Sequence, residues 1–327
     1  MHVGFDGGFY SIKAISGDRW TMFPSLATRP AESLFSLNGH SQIVVESTGG
    51  RYLLGDEAIK KATAGARKET ASWIETAEYL ALFHGALSEL TRATAATVHL
   101  VTGLPIADYR RDKDALRARL QGLHRFAREG RRGQSITVAS VRVVPQAWGA
   151  VLALLLDDAG RIVRPDLVDA RVAVLDVGGR TVNYLSIDGL SDIPAESRST
   201  ERGSWNVVRA VREYLDAEHP GLARMRDHQL MAAIVAGELY DGGDRVDVGA
   251  VTGPLLDDIG QEIVDTARQY WGHGAATFRQ VLVCGGGAHL WGQRIRDAFR
   301  QAVVLEQPEL ANARGFYRFA AHLGNGG

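Results

Sequence analysis

Short stretches of this chain alternate apolar and polar residues, and longer stretches between them repeat apolar residues every three or four positions. Residues 1–17 and residues 42–55 each predict two strands around a glycine-containing turn. Residues 97–105 predict a buried strand that stops at Pro105, and residues 136–144 predict another. Strands that alternate with helices in this way indicate an α/β protein.

Helical spacing of apolar residues predicts the helices. They are expected from Thr70 to Arg92, over 107–122, between Pro145 and Gly160, over 203–217, over 254–271 and over 289–299. The second half of the chain opens with a strand–turn–strand segment at 171–189, and residues 281–287 begin as a buried strand. Residues 241–248 are rich in glycine and aspartate and predict a connection rather than an element.

One sequence pattern occurs twice. Residues 3–17 align with residues 173–189, so that Asp6 falls on Asp176 and Gly8 on Gly178. Both copies are an apolar strand, an Asp-x-Gly turn and a second apolar strand. The repeat predicts two related α/β domains with a cleft between their hairpins. The expected domains are 1–150 plus 311–327 for the first and 151–310 for the second.

The two turns have the composition of a phosphate-binding site. Glycine lets backbone N–H groups approach an anion, and the hydroxyls of Ser11 and Thr181 add donors. Aspartate repels phosphate, but it can hold hydrated Mg²⁺, which binds phosphate in turn. Lys13 adds a positive charge. Together the hairpins indicate one site for a Mg-nucleoside polyphosphate, although either hairpin alone is more typical of a tight turn with a surface aspartate.

Two further segments carry candidate chemistry. Gly285, Gly286 and Gly287 follow an apolar strand and would let a flat group approach the backbone, or would allow close packing of a helix on a strand. Their spacing is not that of a dinucleotide fold. Gln146 lies between a strand and a helix, where it can orient a water for phosphoryl transfer or serve only as a polar residue at a helix start.

Composition narrows the function classes. The chain has 327 residues, a net charge of −1 and one cysteine, Cys284. We therefore expect no disulfide framework, a cytoplasmic location and no general attraction to nucleic acid. No run is long and apolar enough for a membrane span, and the histidines lack metal-ligand spacing. The arginine-rich segments at 110–119 and 128–133 are expected to be a solvated helix face and a basic turn.

Five motifs, taken in order, resemble those of the actin, sugar-kinase and heat-shock-chaperone ATPase superfamily, and more narrowly those of the ParM/StbA branch of actin-like proteins. They are GFDGGFYSIKA, VTGLPIADYRRD, VVPQAWGAVLALLLDDAG, LDVGGRTVNYLSID and VLVCGGGAHL, and they extend over nearly the whole chain. The resemblance implies a two-domain actin-like fold of duplicated ribonuclease-H-like domains with the nucleotide in the interdomain cleft.

The resemblance also implies a role for each matching position. Asp6 and Asp176 would hold Mg²⁺ through water, and Gln146 would position the hydrolytic water. The phosphates would be surrounded by Gly7, Gly8, Ser11, Lys13, Gly178, Gly179 and Thr181. Gly285, Gly286 and Gly287 would border the adenosine, and Glu201, Arg202 or Asn206 would reach the base and ribose. ATP is the expected nucleotide, with GTP as the alternative.

The function implied is an ATPase that polymerises head to tail and disassembles after hydrolysis, in plasmid segregation or a cytoskeletal role. An adaptor protein would link the filament to plasmid DNA, without direct nucleic-acid binding or a membrane partner. Two alternatives remain open at this point. One is a non-polymerising ATPase scaffold on the same fold, and the other is a small-molecule kinase, for which the chain lacks an evident substrate-binding insertion.

Overall fold

The computed structural model describes residues 1–30, 42–61, 73–222, 225 and 227–326. Contacts divide the chain into two compact units. Unit 1 comprises residues 1–164 together with 312–326, and unit 2 comprises residues 165–311. Unit 2 is therefore continuous in sequence, whereas unit 1 is formed from two separate segments.

Seventeen strands occur in the described residues. They are β1 His2–Gly7, β2 Ser11–Ser16, β3 Arg19–Pro24, β4 Ala27–Thr28, β5 Ile43–Ser47, β6 Gly50–Leu54, β7 Ala95–Leu104, β8 Gly122–Arg128, β9 Gln134–Pro145, β10 Arg171–Val177, β11 Val182–Asp188, β12 Ser191–Asp192, β13 Arg198–Thr200, β14 Glu238–Asp241, β15 Asp244–Asp247, β16 Gln280–Cys284 and β17 Ala302–Val304.

Nine α-helices accompany these strands in the same described ranges. They are α1 Asp56–Lys61, α2 Ala77–Leu90, α3 Ile106–Leu120, α4 Trp148–Leu155, α5 Trp205–Glu218, α6 Asp227–Ala236, α7 Val248–Trp271, α8 Ala288–Ala298 and α9 Ala311–Gly324. None of the described helices is long and apolar enough to cross a lipid bilayer.

The sheet of unit 1 has nine strands in the order β3-β2-β1-β7-β9-β8-β5-β6-β4. Strand β1 pairs antiparallel with β2 and parallel with β7, and β7 pairs parallel with β9. In the β1–β2 register Asp6 is opposite Lys13. The hairpin expected at residues 1–17 is therefore confirmed, and its aspartate lies near the carboxyl end of β1.

The sheet of unit 2 has the same central pattern. Strand β10 pairs antiparallel with β11 and parallel with β16, and β16 pairs parallel with β17. Here Asp176 is opposite Asn183. The two central strands thus have equivalent neighbours and carry their aspartates near equivalent ends, which agrees with the duplication expected from the sequence repeat.

The boundary between the units differs from the one expected at residue 150. Helix α4 continues to Leu155, so a boundary at residue 150 would divide a helix. This helix packs on α9 without space for side chains, because a Cβ on Gly149 would meet the backbone of Asn312, and a Cβ on Gly315 would meet the carbonyl of Gly149. Residues 151–164 accordingly belong to unit 1.

Two strand-containing segments differ from the sequence-based expectation. The helix expected over 107–122 ends at Leu120, and strand β8 follows at once. The inward positions of β8 include His124, Phe126 and Arg128, so polar residue types hide the alternation. Residues 241–248 do not form a simple connection, because β14 and β15 make a hairpin whose turn residues Gly242 and Gly243 both have positive φ.

Two helix starts also differ. Helix α7 begins at Val248 rather than at residue 254, because the Asp247 side chain caps it by accepting from the Ala250 N–H at 3.0 Å and Pro254 is tolerated inside the helix. Helix α2 begins at Ala77 after the N-cap Thr76, whose hydroxyl accepts from the Tyr79 N–H at 3.1 Å. The expected start at Thr70 lies outside the described residues.

A chain of hydrogen bonds connects two histidines inside unit 1. His124 Nε2 lies 2.8 Å from the Leu120 carbonyl, which can only accept, so this nitrogen carries the proton. His124 Nδ1 therefore accepts from His84 Nε2 at 3.0 Å, and His84 Nδ1 accepts from the Ser47 hydroxyl at 2.8 Å. Both rings are neutral in this arrangement, and His84 stacks on Phe126 at a centroid distance of 4.6 Å.

The buried histidine pair predicts loss of stability in acid. Burial, followed by the charges of His124 and Arg119, lowers the pKa of His84 to about 3. The unfolded chain binds a proton here below about pH 6.5, whereas the folded chain does not, so stability falls as the pH falls through that value. By pH 5.5 the loss from one such histidine is about 1.4 kcal/mol.

Thermal unfolding at pH 7.5 and pH 5.5 measures this effect. The decrease in Tm between the two pH values should be smaller in His84→Leu than in the unmodified chain, whatever the absolute Tm of the variant. His273→Gln serves as the control because His273 is exposed. An equal decrease in all three proteins would contradict the assignment.

Candidate functional site

The first hairpin places a buried carboxylate at the centre of a polar cluster. Asp6 is 2% exposed. Its Oδ2 accepts from Lys13 Nζ at 3.2 Å, and its Oδ1 accepts from Gln146 Nε2 at 2.7 Å. Lys13 contacts Asp6 because the two residues are opposite each other in the β1–β2 register, whereas Gln146 lies 140 residues away in the sequence. Three residues that the sequence singled out separately are therefore in direct contact.

The backbone fixes the position of Gln146. Its N–H donates to the Leu104 carbonyl at 2.7 Å, and its own carbonyl accepts from the Gly149 N–H at 3.0 Å. A Cβ on Gly103 would lie 2.9 Å from Gln146 Cα, so the end of β7 approaches this residue closely. The side chain thus leaves a constrained position between β9 and α4 and reaches Asp6.

The turn of the first hairpin packs on Tyr79 and is hydrogen-bonded to Ser25. A Cβ on Gly7 would lie 2.6 Å from the Tyr79 hydroxyl, so the turn rests on this buried ring. The Ser25 hydroxyl donates to the Gly8 carbonyl at 2.5 Å, and the Ser25 N–H donates to the Tyr10 carbonyl at 3.0 Å. Burial, followed by the charge of Asp6, raises the pKa of Tyr79. The phenol therefore stays protonated beside the carboxylate.

The second hairpin compensates its carboxylate in a different way. Asp176 is 3% exposed and accepts from Asn183 Nδ2 at 3.3 Å. Asn183 Oδ1 in turn accepts from the Ser199 hydroxyl at 2.6 Å, which orients the amide. Asn183 occupies the register position that Lys13 has in the first hairpin. The repeat therefore preserves the aspartate but replaces its cationic partner with a neutral amide.

The start of helix α5 holds the turn of the second hairpin. The Ser204 N–H donates to the Gly178 carbonyl at 3.2 Å, and the Trp205 N–H donates to the Gly179 carbonyl at 2.8 Å. A Cβ on Gly203 would meet both of these carbonyls. Glycine is thus required at residue 203 for the loop to approach the turn, a requirement that the sequence analysis missed.

The three glycines after β16 have different surroundings. Gly285 has φ +81°, and a Cβ there would lie 2.7 Å from Asp176 Oδ1. A Cβ on Gly287 would meet the Val177 side chain, whereas nothing lies within 4 Å of the same position on Gly286. Close packing, the alternative left open by the sequence, therefore accounts for Gly285 and Gly287. It also brings this segment next to the second hairpin.

The remaining candidates lie near the second hairpin and at the starts of β2 and β11. Ser11 and Thr181 are half-buried just after their turns. Glu201 is exposed and accepts from Arg180 at 3.0 Å, and Arg202 pairs with Glu262 at 3.3 Å. Asn206 is half-buried in the first turn of α5. The structure therefore does not single out one of residues 201, 202 and 206 for ligand binding.

The donor chemistry of the hairpins suits Mg²⁺ held through water. Mg²⁺ keeps several waters and is usually tethered by one or two carboxylates together with substrate phosphates. Asp6 and Asp176 are such carboxylates, each beside a glycine turn. Across the described part of the chain, no group of three or more His, Cys, Asp or Glu side chains forms a direct ligand cage. Each of the two aspartates thus has the chemistry to tether a hydrated ion.

Three residues that support the two hairpins, one in unit 1 and two in unit 2, carry no strong sequence signal. Ser25 follows a proline in an unremarkable loop, and Gly203 is one of 37 glycines. Asn183 lies in an apolar strand, and only its alignment with Lys13 in the repeat indicates a special position. That alignment is the signal that could have identified it.

Family models match both halves of the chain. Residues 4–149 match the N-terminal domain of actin-like proteins. Residues 174–297 match the C-terminal region of the archaeal MreB-like actin homologue. A comparison with curated protein sequences gives no match.

Solved structures share the fold over almost the whole chain. The archaeal actin homologue Ta0583 superposes with a TM-score of 0.81 at 22% identity, covering 99% of both chains. Its complex with ADP gives a TM-score of 0.79 at 21% identity, covering 98% of this chain and 99% of that one. A ParM from a 15-stranded Clostridium botulinum filament gives a TM-score of 0.80 at 20% identity, covering 98% of both.

The two family models follow one another along the chain and account for both units, each with its own aspartate hairpin. The fold expected from the sequence repeat is confirmed by the shared structures. This chain belongs to the actin-like proteins.

Proposed function

We propose that this chain binds Mg-ATP, polymerises into filaments and hydrolyses ATP to drive their disassembly. The main support is the pair of buried aspartates, Asp6 and Asp176, which occupy equivalent positions in two related sheets. Burying two carboxylates is costly, so a purely structural turn would be expected to use a neutral residue at one of them. A shared role in binding a Mg-nucleotide accounts for both.

Residues of both hairpins are proposed to take part in nucleotide binding. The turn glycines Gly7, Gly8, Gly178 and Gly179 would present backbone donors to phosphate oxygens, with Ser11 and Thr181 adding hydroxyls. Lys13 would add a cation, and Gly285, Gly286 and Gly287 would border the adenosine. Asp6 and Asp176 would hold Mg²⁺ through water, and the ion would neutralise charge that develops on the phosphates. The ADP complex of the similar Ta0583 supports a nucleotide ligand.

Gln146 is the proposed water-positioning residue. Its side-chain amide cannot remove a proton effectively, but it can hold a water by accepting and donating hydrogen bonds. The 2.7 Å bond to Asp6 uses one amide N–H and leaves the carbonyl oxygen to accept from a water. Asp6 would therefore contribute twice, once to the Mg²⁺ shell and once by orienting Gln146.

Filament formation is the proposed consequence of nucleotide binding. The similar Clostridium botulinum ParM forms a 15-stranded filament, which supports the same kind of assembly here. Head-to-tail contacts between identical subunits give open filaments when their rotation does not close into a ring. We propose a cytoplasmic role in plasmid segregation through an adaptor protein, or a cytoskeletal role. The matched chains are covered almost completely in both directions, which does not favour an inserted substrate domain of a small-molecule kinase.

Light scattering at 90° with simultaneous phosphate release tests the overall proposal. Addition of Mg-ATP should raise the scattering, and the signal should decay as phosphate appears. Phosphate release without any change in scattering would indicate a non-polymerising ATPase. The absence of both signals would overturn the proposed function while leaving the fold in place.

Asp176→Ala should reduce Mg-dependent ATP affinity by tenfold or more, because the variant loses a carboxylate that holds the ion's water shell, worth about 1.4 kcal/mol or more. Isothermal titration calorimetry with and without Mg²⁺ measures the difference. Asp192→Asn is the matched control, since Asp192 is exposed on β12 of the same sheet. Equal affinities of Asp176→Ala and the control would exclude the role assigned to Asp176.

Gln146→Ala should slow ATP hydrolysis by roughly 10²-fold and change ATP affinity much less, because the attacking water loses its positioning group whereas Asp6 keeps its ion pair with Lys13. Single-turnover phosphate release measures the rate, and calorimetry measures the affinity. Gln121→Ala, a change at an exposed position of the same unit, is the control. A wild-type rate in Gln146→Ala would remove this residue from the reaction.

A further inference from the structure

A cleft rich in arginine lies in unit 1. It has a volume of about 630 Å³ and is lined by Arg92, Thr94, Gly130, Arg131 and Arg132. We call this set the arginine cleft. Its walls are the connection from α2 to β7 and the turn from β8 to β9. The sequence of the second wall, within residues 128–133, predicts only a basic turn.

Buried hydrogen bonds hold the two walls together. Gln134 is 4% exposed, and its Nε2 donates to the Thr91 carbonyl at 3.1 Å and to the Ala93 carbonyl at 2.8 Å. Arg131, on the β8–β9 turn, likewise donates to the Ser88 carbonyl near the end of α2. The cleft is therefore part of the folded framework of unit 1 rather than an accidental gap between surface side chains.

Positive charge in and around the cleft exceeds negative charge. Glu89 contacts Arg128 and lies 3.5 Å from Arg131, so one carboxylate serves two guanidinium groups. Glu129 is bound to Arg51 at 2.6 Å. Within the ranges that the structure describes, no acidic side chain pairs with Arg92 or Arg132. Two guanidinium groups of the cleft are thus available to an anion.

Burial and the crowding of positive charge lower the pKa of two arginines in and beside the cleft. Burial, followed by the charges of Arg92 and Arg19, lowers the pKa of Arg131. Burial, followed by the charge of Arg131, lowers the pKa of Arg128 to about 10. Both shifts reflect mutual repulsion as well as desolvation, and a bound anion would relieve the repulsion.

The arginine cleft is separate from the candidate nucleotide site. It lies at the amino end of β7, whereas Asp6 pairs near the carboxyl end of the sheet's central strands. Strand β7 has ten residues, which at about 3.3 Å per residue puts the two ends roughly 30 Å apart. The cleft therefore calls for a ligand other than the nucleotide of the proposed function.

We propose that the arginine cleft binds the phosphate backbone of nucleic acid. Arginine, threonine hydroxyls and backbone N–H groups are the usual donors to backbone phosphates, and the lining consists of three arginines, a threonine and a glycine. A protein-binding site would be expected to include apolar side chains at its centre, and none of the five lining residues is an aliphatic or aromatic residue. Contacts of this kind recognise charge and spacing and do not depend on base sequence.

The cleft changes the conclusion drawn from the net charge of −1. Net charge describes the average of the whole chain, whereas phosphate binding depends on the local arrangement of cations. Two or three contacts predict weak binding, in the range of non-specific complexes with a Kd of about 10⁻⁴–10⁻⁶ M at physiological salt. Such a surface would hold DNA only when many subunits engage it together.

Fluorescence anisotropy with a labelled random-sequence DNA duplex tests the proposal. The full chain is titrated without nucleotide at about 50 mM and about 200 mM salt, so that the result is independent of ATP-driven assembly. The unmodified chain should bind in the micromolar range at the lower salt. The double variant Arg92→Gln, Arg132→Gln should bind at least tenfold more weakly. The slope of its log binding constant against log salt concentration should be shallower by roughly two, because two phosphate contacts are lost.

The double variant Arg110→Gln, Arg142→Gln is the matched control, because it removes the same charge from exposed positions of the same unit. Thermal unfolding of both variants shows that they remain folded. The proposal is overturned if the unmodified chain gives no saturable signal, or if the two double variants bind equally. Displacement of the duplex by polyglutamate, or by inorganic phosphate at matched ionic strength, as effectively as by unlabelled DNA would also overturn the nucleic-acid assignment.

Discussion

The burial of a carboxylate at the end of a central strand is the constraint on which the site depends. An ionised carboxylate removed from water needs hydrogen bonds or a counter-charge, because its desolvation costs several kcal/mol. Unit 1 meets this need with the Lys13 ammonium and the Gln146 amide, and unit 2 uses the Asn183 amide, which Ser199 orients. The two copies of the hairpin share a backbone register but differ in charge. The register position opposite the aspartate therefore carries a positive charge in unit 1 and a neutral amide in unit 2.

The same constraint connects distant parts of the chain. Gln146 reaches Asp6 because the end of β7 approaches it so closely that only glycine fits at residue 103. In unit 2, glycine at residues 203 and 285 allows two separate segments to press against the β10–β11 hairpin. The chemistry of the site is thus supplied by a few polar side chains, whereas their mutual distances are set by backbone contacts that exclude a Cβ.

The repeat of the Asp-x-Gly hairpin, with strand periodicity, was enough to predict the duplicated α/β fold, because it depends on local pattern alone. It also predicted Asp6, Asp176 and the turn glycines as candidates. Periodicity failed for β8, where His124 and Arg128 occupy inward positions, and for the β14–β15 hairpin, whose aspartates suggested a loop. Ser25 and Gly203 were missed because their role comes from long-range contacts, which a single sequence does not encode locally. The charge balance of the arginine cleft was hidden for the same reason, since it depends on which carboxylates reach which arginines.

The return of helix α9 to unit 1 has a consequence for the order of folding. A Cβ on Gly4 would meet the backbone of Ala313 and Tyr317, so α9 packs directly on β1, the strand that carries Asp6. The part of α9 that belongs to unit 1, residues 312–324, leaves the ribosome after all of unit 2, and domains commonly fold as they emerge. Unit 2 can therefore complete its core during synthesis while β1 still lacks its covering helix. The strands of unit 1 would then be synthesised before unit 2 but would reach their final packing after it. In the interval their apolar residues would remain exposed to aggregation or chaperone binding.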